Sequence, residues 1–436
     1  MKKSILFFSL WILIHLFPVF AQNNPQHIIL TWKNAPETSQ AVTWRSEKPL
    51  DHPIVELYKS SSSPIESLSK IPFLLDSTKV SLADQGTWYY YSANFESLNP
   101  GTSYTYRVGD LDSEMSPLMD FKTPKEKGGL RFLYLGDIQN DIYKWGTRTI
   151  RAAYQHSPHS AFMLFAGDCV NDGHQNSQWE EWFDALGFIP THMPIVPVTG
   201  NHEYDELPGS DEESLSIFWQ SQFELPLNGP KGLEESVYFY DIQSIKIIVL
   251  NSLMALQSEE DLSYQTEWLE KVLQENPQEW TIVSYHHPLF SSRDGKHGQY
   301  PELRDAWQPV FEKYGVDLVL QGHDHMYGRS SKQSQSIEVP DGQAGPVYIV
   351  SVAGPKMYGI KKGDRWMERA AVNTQLFQEI SIEKDKLEFR AFTVEGELYD
   401  SFDLIKNPKG FNFFKEHINS ASTPEKTFPN GTYSNK

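Results

Sequence analysis

The chain has 436 residues, 39% hydrophobic and 22% charged, which excludes a disordered polymer and, at about 150 residues per domain, suggests two or three domains. Its 57 acidic and 38 basic side chains give a net charge of −19, which disfavours binding to duplex nucleic acid but not to a small phosphate ester at a local cationic centre. The single cysteine, Cys169, excludes an intramolecular disulfide.

Lys2 and Lys3, an apolar run over residues 5–14, and Val19-Phe20-Ala21 predict a secretory signal peptide at residues 1–21 and a secreted or periplasmic protein. That run is shorter than the ~20 residues a bilayer crossing needs, and no later run is long enough, so no stable membrane span is expected. Residues 22–124 are predicted as an all-β domain, with short strands at 27–32, 41–45 and 88–95 and turn-forming clusters at 59–64 and 99–101. Within it, Leu98-Asn99-Pro100-Gly101-Thr102-Ser103-Tyr104-Thr105-Tyr106 resembles the E–F corner of fibronectin type III domains, where a buried tyrosine caps the corner through its hydroxyl. A polar linker at 121–129 follows. Beyond it, strands at 131–135, 161–166, 194–198, 281–285 and 316–320 alternate with helices near 142–155, 179–186, 262–274 and 302–314, with a strand pair near 237–250. Later strands are expected at 347–352, 377–382 and 387–393. This pattern predicts an α+β or α/β-type core over 125–405. Residues 406–436 are polar and expected to form a partly frayed tail.

Five apolar runs end directly in metal-capable side chains. They lead into Asp137; Asp168; Asn201-His202-Glu203; His286-His287-Pro288; and His323-Asp324-His325. Open α/β sheets build their sites at the carboxyl ends of strands. Four of the turns carry Gly beside the polar residue, which permits a sharp bend next to an ion. Taken singly, each Asp suits a turn or helix cap and each His an ordinary hydrogen bond. Together, imidazole, carboxylate and amide suit Zn, Mn or Fe, and so many donors suggest two ions about 3.5–4 Å apart that activate water and neutralise phosphoryl charge. Cys169 is expected to point away from the site. Asp324 is expected to orient a ring or cap a turn, and Arg329 to pair with a nearby carboxylate. No Gly-x-Ser-x-Gly elbow supports a serine hydrolase.

Gly136-Asp137, Gly167-Asp168, Gly200-Asn201-His202-Glu203, Val283-Ser284-Tyr285-His286 and Gly322-His323-Asp324-His325 occur in the order typical of the calcineurin-like metallophosphoesterases, and the chain resembles the purple acid phosphatases among them over about residues 25–400. The resemblance implies a fibronectin III-like sandwich before a β-sandwich core flanked by helices. It also implies two ions bridged by Asp168, one bound by Asp137 and His325, the other by Asn201, His286 and His323. His202 would contact the phosphate, and a further His, best His297 and next His287, would protonate the leaving group. Two positions depart from the family. Asn171 stands where purple enzymes have the tyrosine that binds ferric iron, and Gln139 where many relatives have a histidine. Either could offer an amide oxygen instead. The expected cofactors are therefore two divalent ions (Zn, Mn or Fe), with Fe(III) disfavoured. The expected activity is acid phosphatase-like hydrolysis of phosphate monoesters; the alternatives are a phosphodiesterase or nucleotidase on the same site, or a weakly catalytic surface-binding protein.

Overall fold

The computed structural model describes residues 24–64, 74–82, 84–112, 114–207, 209–291, 293, 300–332, 345–360, 366–407, 412–419 and 423–426. The expected signal peptide and His297 lie outside them.

The first strands form two facing antiparallel sheets. One runs in the order Gln26–Thr31, Gln40–Ser46, Gly86–Phe95, Leu74–Leu82; the other is Pro53–Lys59, Ser103–Asp110, Met119–Lys122. Successive side chains of a strand face opposite ways. In Gly86–Phe95 the odd positions Tyr91, Ala93 and Phe95 fill the space between the two sheets, with Trp44, Leu57 and Val108. The even positions Trp88 and Tyr90 join the core of the following region. This strand is therefore buried on both faces. The corner tyrosine is Tyr104, which is buried and accepts the Asn99 N–H through its hydroxyl at 2.8 Å. Strands Pro53–Lys59 and Leu74–Leu82 were not expected; Ser, Lys and Asp interrupt their apolar pattern.

The rest of the chain builds two seven-stranded mixed sheets and a small two-stranded one, Tyr204–Glu206 with Glu213–Leu215. The first begins with parallel Ile195–Pro197, Met163–Phe165 and Leu130–Leu135, and continues antiparallel through Leu376–Glu383, Lys386–Thr393, Leu398–Lys406 and Asn412–Glu416. The second has parallel Ile245–Val249, Trp280–Ser284, Leu318–Gln321 and Val347–Val350 at its centre, flanked by antiparallel Tyr238–Ile242 on one side and Tyr327–Lys332 and Met367–Ala371 on the other. The parallel strands read as near-continuous apolar runs because both their faces are buried. The segment expected as a frayed tail instead supplies the edge strand Asn412–Glu416. Glu416 holds Arg329 Nη2 at 2.6 Å, and Asp400 takes the guanidinium's other side at 2.9 and 3.0 Å, so Arg329 does pair locally.

Helix boundaries differ where polar residues carry no apolar period. Helix Glu259–Gln274 starts before the expected 262, because Ser258 caps it through Asp261 N–H and Glu259, Glu260 and Asp261 sit at the positive end of the helix dipole. The helix expected from 142 opens as a π-turn, Ile142–Gly146, before the α-helix Thr147–His156. Asn140 and Asp141 just ahead of it are both left-handed, at φ 68° and 44°. Among the described residues no helix is long and apolar enough to cross a membrane.

Candidate metal centre

The three parallel strands of the first sheet end at Asp137, Asp168 and Asn201; two neighbouring strands of the second end at His286 and His323. The sheets meet at these ends. Backbone N–H groups of Ala353 and Gly354 bond the Asp137 carbonyl at 3.0 and 2.7 Å, and Tyr134 hydroxyl donates across to the Gln321 carbonyl. The turns bring the donors very close. A Cβ on Gly322 would overlap Asp137 Oδ1, and one on Gly200 would overlap Asp168 Oδ1. Close approach thus requires these glycines, whereas a left-handed backbone does so only at Gly167, among the motif glycines, at φ 91°. Asp168, His323 and His325 themselves lie at φ 50°, 70° and 47°, a strained conformation for residues other than glycine.

Asp168, His286 and His323 each present a ligand-capable atom within 4.8 Å of the others, and so do Asp137, Asp168 and His325. Asp168 belongs to both groups. Its Oδ2 lies 3.1 Å from His286 Nε2, and its Oδ1 accepts the His202 N–H at 3.0 Å. Asp137 Oδ2 lies 3.2 Å from His325 Nε2. Asn201 Oδ1 is 3.1 Å from His323 Nδ1, which is 3.3 Å from His286 Nε2.

The other ring nitrogens fix the tautomers. His286 Nδ1–H donates to the Ala166 carbonyl at 2.8 Å and His325 Nδ1–H to the Lys356 carbonyl at 2.9 Å. Each therefore turns Nε2 inward, as a metal-binding imidazole does. His323 turns Nδ1 inward, with Nε2 2.8 Å from the Tyr300 hydroxyl. Neutral His325 Nε2 and Asp137 Oδ2 are then two lone-pair atoms face to face, and Asp137 Oδ2 has no hydrogen-bond donor among the described residues. A cation between such atoms is what the donor set fits.

The charges agree. Burial pushes Asp137 well above the usual carboxylate range, with Asp168 adding to the shift and His286 opposing it. Burial would raise Asp168 as well, but His286 and His202 hold it low. Burial disfavours a charged His286, yet Asp168 and Asp137 outweigh it and lift it to about 10. Burial and neighbouring positive charge keep His323 and His325 neutral. This buried acid pair draws positive charge toward itself.

The other candidate residues lie around this cluster. Gln139 enters the cluster but turns its amide nitrogen inward, 2.8 Å from Asp168 Oδ2 and 3.1 Å from His325 Nε2, so it donates rather than offering an oxygen. The Asn171 side-chain oxygen is held by Asn140 Nδ2 at 3.0 Å; its backbone carbonyl serves the site, accepting His202 Nδ1–H at 2.6 Å. His287 is buried against Ser252 Oγ at 2.9 Å, and burial, then His286, push it to about 3. Cys169 is buried, its thiol pushed up by burial and nearby carboxylates.

Two further residues hold the site together. Buried Glu203 accepts the N–H groups of Asp168, Cys169 and Gly200 at 2.9, 2.8 and 2.7 Å, tying the second strand end to the third; burial, then Asp168, raise it to about 8. Its place directly after Asn201-His202 was the available signal. Tyr300 lies 23 residues from the histidine it contacts, and nothing local marks it.

Residues 130–327 match the calcineurin-like phosphoesterase family and residues 25–123 the purple acid phosphatase N-terminal domain. Purple acid phosphatase 21 of Arabidopsis thaliana is 26% identical over 63% of this chain and 61% of its own; purple acid phosphatase 1 of Ipomoea batatas is 27% identical over 67% and 66%. An Arabidopsis thaliana relative named Fe(3+)-Zn(2+) purple acid phosphatase 12 is 26% identical over 62% and 60%. The chain thus spans three fifths to two thirds of these relatives' length. A purple acid phosphatase from yellow lupin (Lupinus luteus) seeds shares the fold at a TM-score of 0.75, with 20% identity, over 89% of this chain and 75% of that one. PhoD shares it at 0.63, with 13% identity, over 94% and 95%. With the two matches in sequence order, the chain carries a purple acid phosphatase N-terminal domain followed by a calcineurin-like phosphoesterase domain, and it is similar to the purple acid phosphatases over most of its length.

Proposed function

We propose that this protein is an exported, metal-dependent hydrolase of phosphate monoesters. The observation that carries the proposal is Asp168, which belongs to both groups of acid and imidazole donors. Asp137, Asp168 and His325 would hold one divalent ion, and Asp168, Asn201, His286 and His323 the other; Zn, Mn and ferrous iron suit these donors. Such ions make water a nucleophile near neutral pH and neutralise charge on the phosphoryl oxygens. In hydrolysis the phosphorus–ester oxygen bond breaks as water oxygen bonds to phosphorus, and the departing oxygen takes a proton. His202, with Nδ1–H committed to Asn171, leaves Nε2 free; in the protonated ring Nε2–H would donate to a phosphoryl oxygen or deliver that proton. The family resemblance points first to His297, and next to His287, for proton delivery. Export rests on the basic and apolar start of the chain.

Turnover of 4-nitrophenyl phosphate and bis(4-nitrophenyl) phosphate, with and without EDTA, tests this. Monoester turnover abolished by EDTA is expected. Preference for the diester would make the protein a phosphodiesterase, and turnover of neither would leave a binding role. Because position 171 lacks a phenol, the metal-loaded protein should be colourless; a visible charge-transfer band would overturn the divalent assignment.

A further inference from the structure

Arg293 and Lys356 converge beside His325. The Tyr358 N–H donates to the His325 carbonyl at 3.0 Å, and its ring lies 4.7 Å from the His325 ring. The Arg293 guanidinium sits 3.6 Å from that Tyr358 ring centroid and the Lys356 ammonium 5.7 Å from it. A backbone bridge between Arg293 and Ile360 ties their two segments together. Both side chains are partly exposed. Among the described residues neither makes an ion pair with a carboxylate, although Arg293 acts electrostatically on the buried Asp324; of the buried arginines, Arg45 and Arg329 pair with carboxylates and Arg369 bonds the Thr423 and Tyr399 carbonyls.

Resting on the phosphohydrolase assignment above, we infer that Arg293 and Lys356 form a subsite for a second phosphate group of the substrate. The metal centre would neutralise only the phosphate being cleaved. A second phosphate beyond it meets Arg293 and Lys356 outside the His325 ring, where an anion gains two charge-assisted contacts. The substrate class is a phosphate ester carrying a further phosphate, of which adenosine 5′-diphosphate is a simple probe.

The test compares the manganese-loaded full chain with the double variant Arg293→Gln/Lys356→Gln. The Lys356 contact to His325 is through the backbone, so the substitutions keep it. For adenosine 5′-diphosphate, kcat/KM is expected to fall about tenfold or more, mainly through KM, with 4-nitrophenyl phosphate changed less than about twofold. Equal losses on both substrates, or none on either, would overturn the subsite. If the wild type cleaves neither, the phosphohydrolase assignment fails separately. Calorimetric titration of adenosine 5′-diphosphate then decides the subsite: weaker binding to the variant supports it, and equal binding overturns it.

Discussion

His202 and Asp168 are adjacent in space but differ in chemistry. Asp168 Oδ1 accepts the His202 N–H, while the His202 ring is anchored to Asn171 rather than among the inward donors. His202→Ala should therefore retain metal, by elemental analysis, while slowing turnover roughly 10²–10⁴-fold. Asp168→Asn should lose metal and turnover together, since its carboxylate belongs to both donor groups. Loss of metal in His202→Ala would refute the role given to His202. Tyr300 acts through His323. Tyr300→Phe removes the partner of Nε2 and should weaken retention of one ion about 10–100-fold in chelator competition. Unchanged retention would make Tyr300 merely structural.

Elements matter because they fix where side chains point. The edge strand Asn412–Glu416 and strand Leu398–Lys406 supply Glu416 and Asp400 to Arg329, whose guanidinium is fully buried. Breaking a buried pair leaves charge uncompensated. Asp400→Asn should cost about 3–5 kcal/mol by urea denaturation, with metal content of the folded fraction intact. A loss under about 1 kcal/mol would show that Glu416 alone suffices. Most strands and helices after residue 130 were readable because a buried parallel strand is an uninterrupted apolar run and an amphipathic helix repeats. The edge strands Asn412–Glu416 and Met367–Ala371 and the π-turn at Ile142 were not, since their interspersed polar residues and a bulged turn leave no periodic mark.

At the scale of the whole molecule, the site joins two sheets, and the N-terminal sandwich is built into the same core. Tyr240 hydroxyl donates to the Trp32 carbonyl and Tyr106 hydroxyl to the Thr191 carbonyl, each at 2.7 Å, while Arg45 reaches Asn176 and Glu180. Ions held between the sheets would stabilise the fold by mass action, about 2.7 kcal/mol at a hundredfold excess over Kd. Removing metal with EDTA should therefore lower Tm by several degrees, and added manganese should restore it. A Tm indifferent to EDTA would count against ions at this junction.

The residue order alone determined the donor types, their position after apolar runs and the two-part organisation, because each leaves a local signature of period or motif. Only the tertiary structure decided which donors meet, which ring nitrogen turns inward, that Gln139 donates and Asn171 serves through its backbone, and that Glu203, Tyr300, Arg293 and Lys356 belong to the same neighbourhood. Those outcomes depend on contacts between segments tens to hundreds of residues apart, and no spacing within a single stretch of chain encodes them.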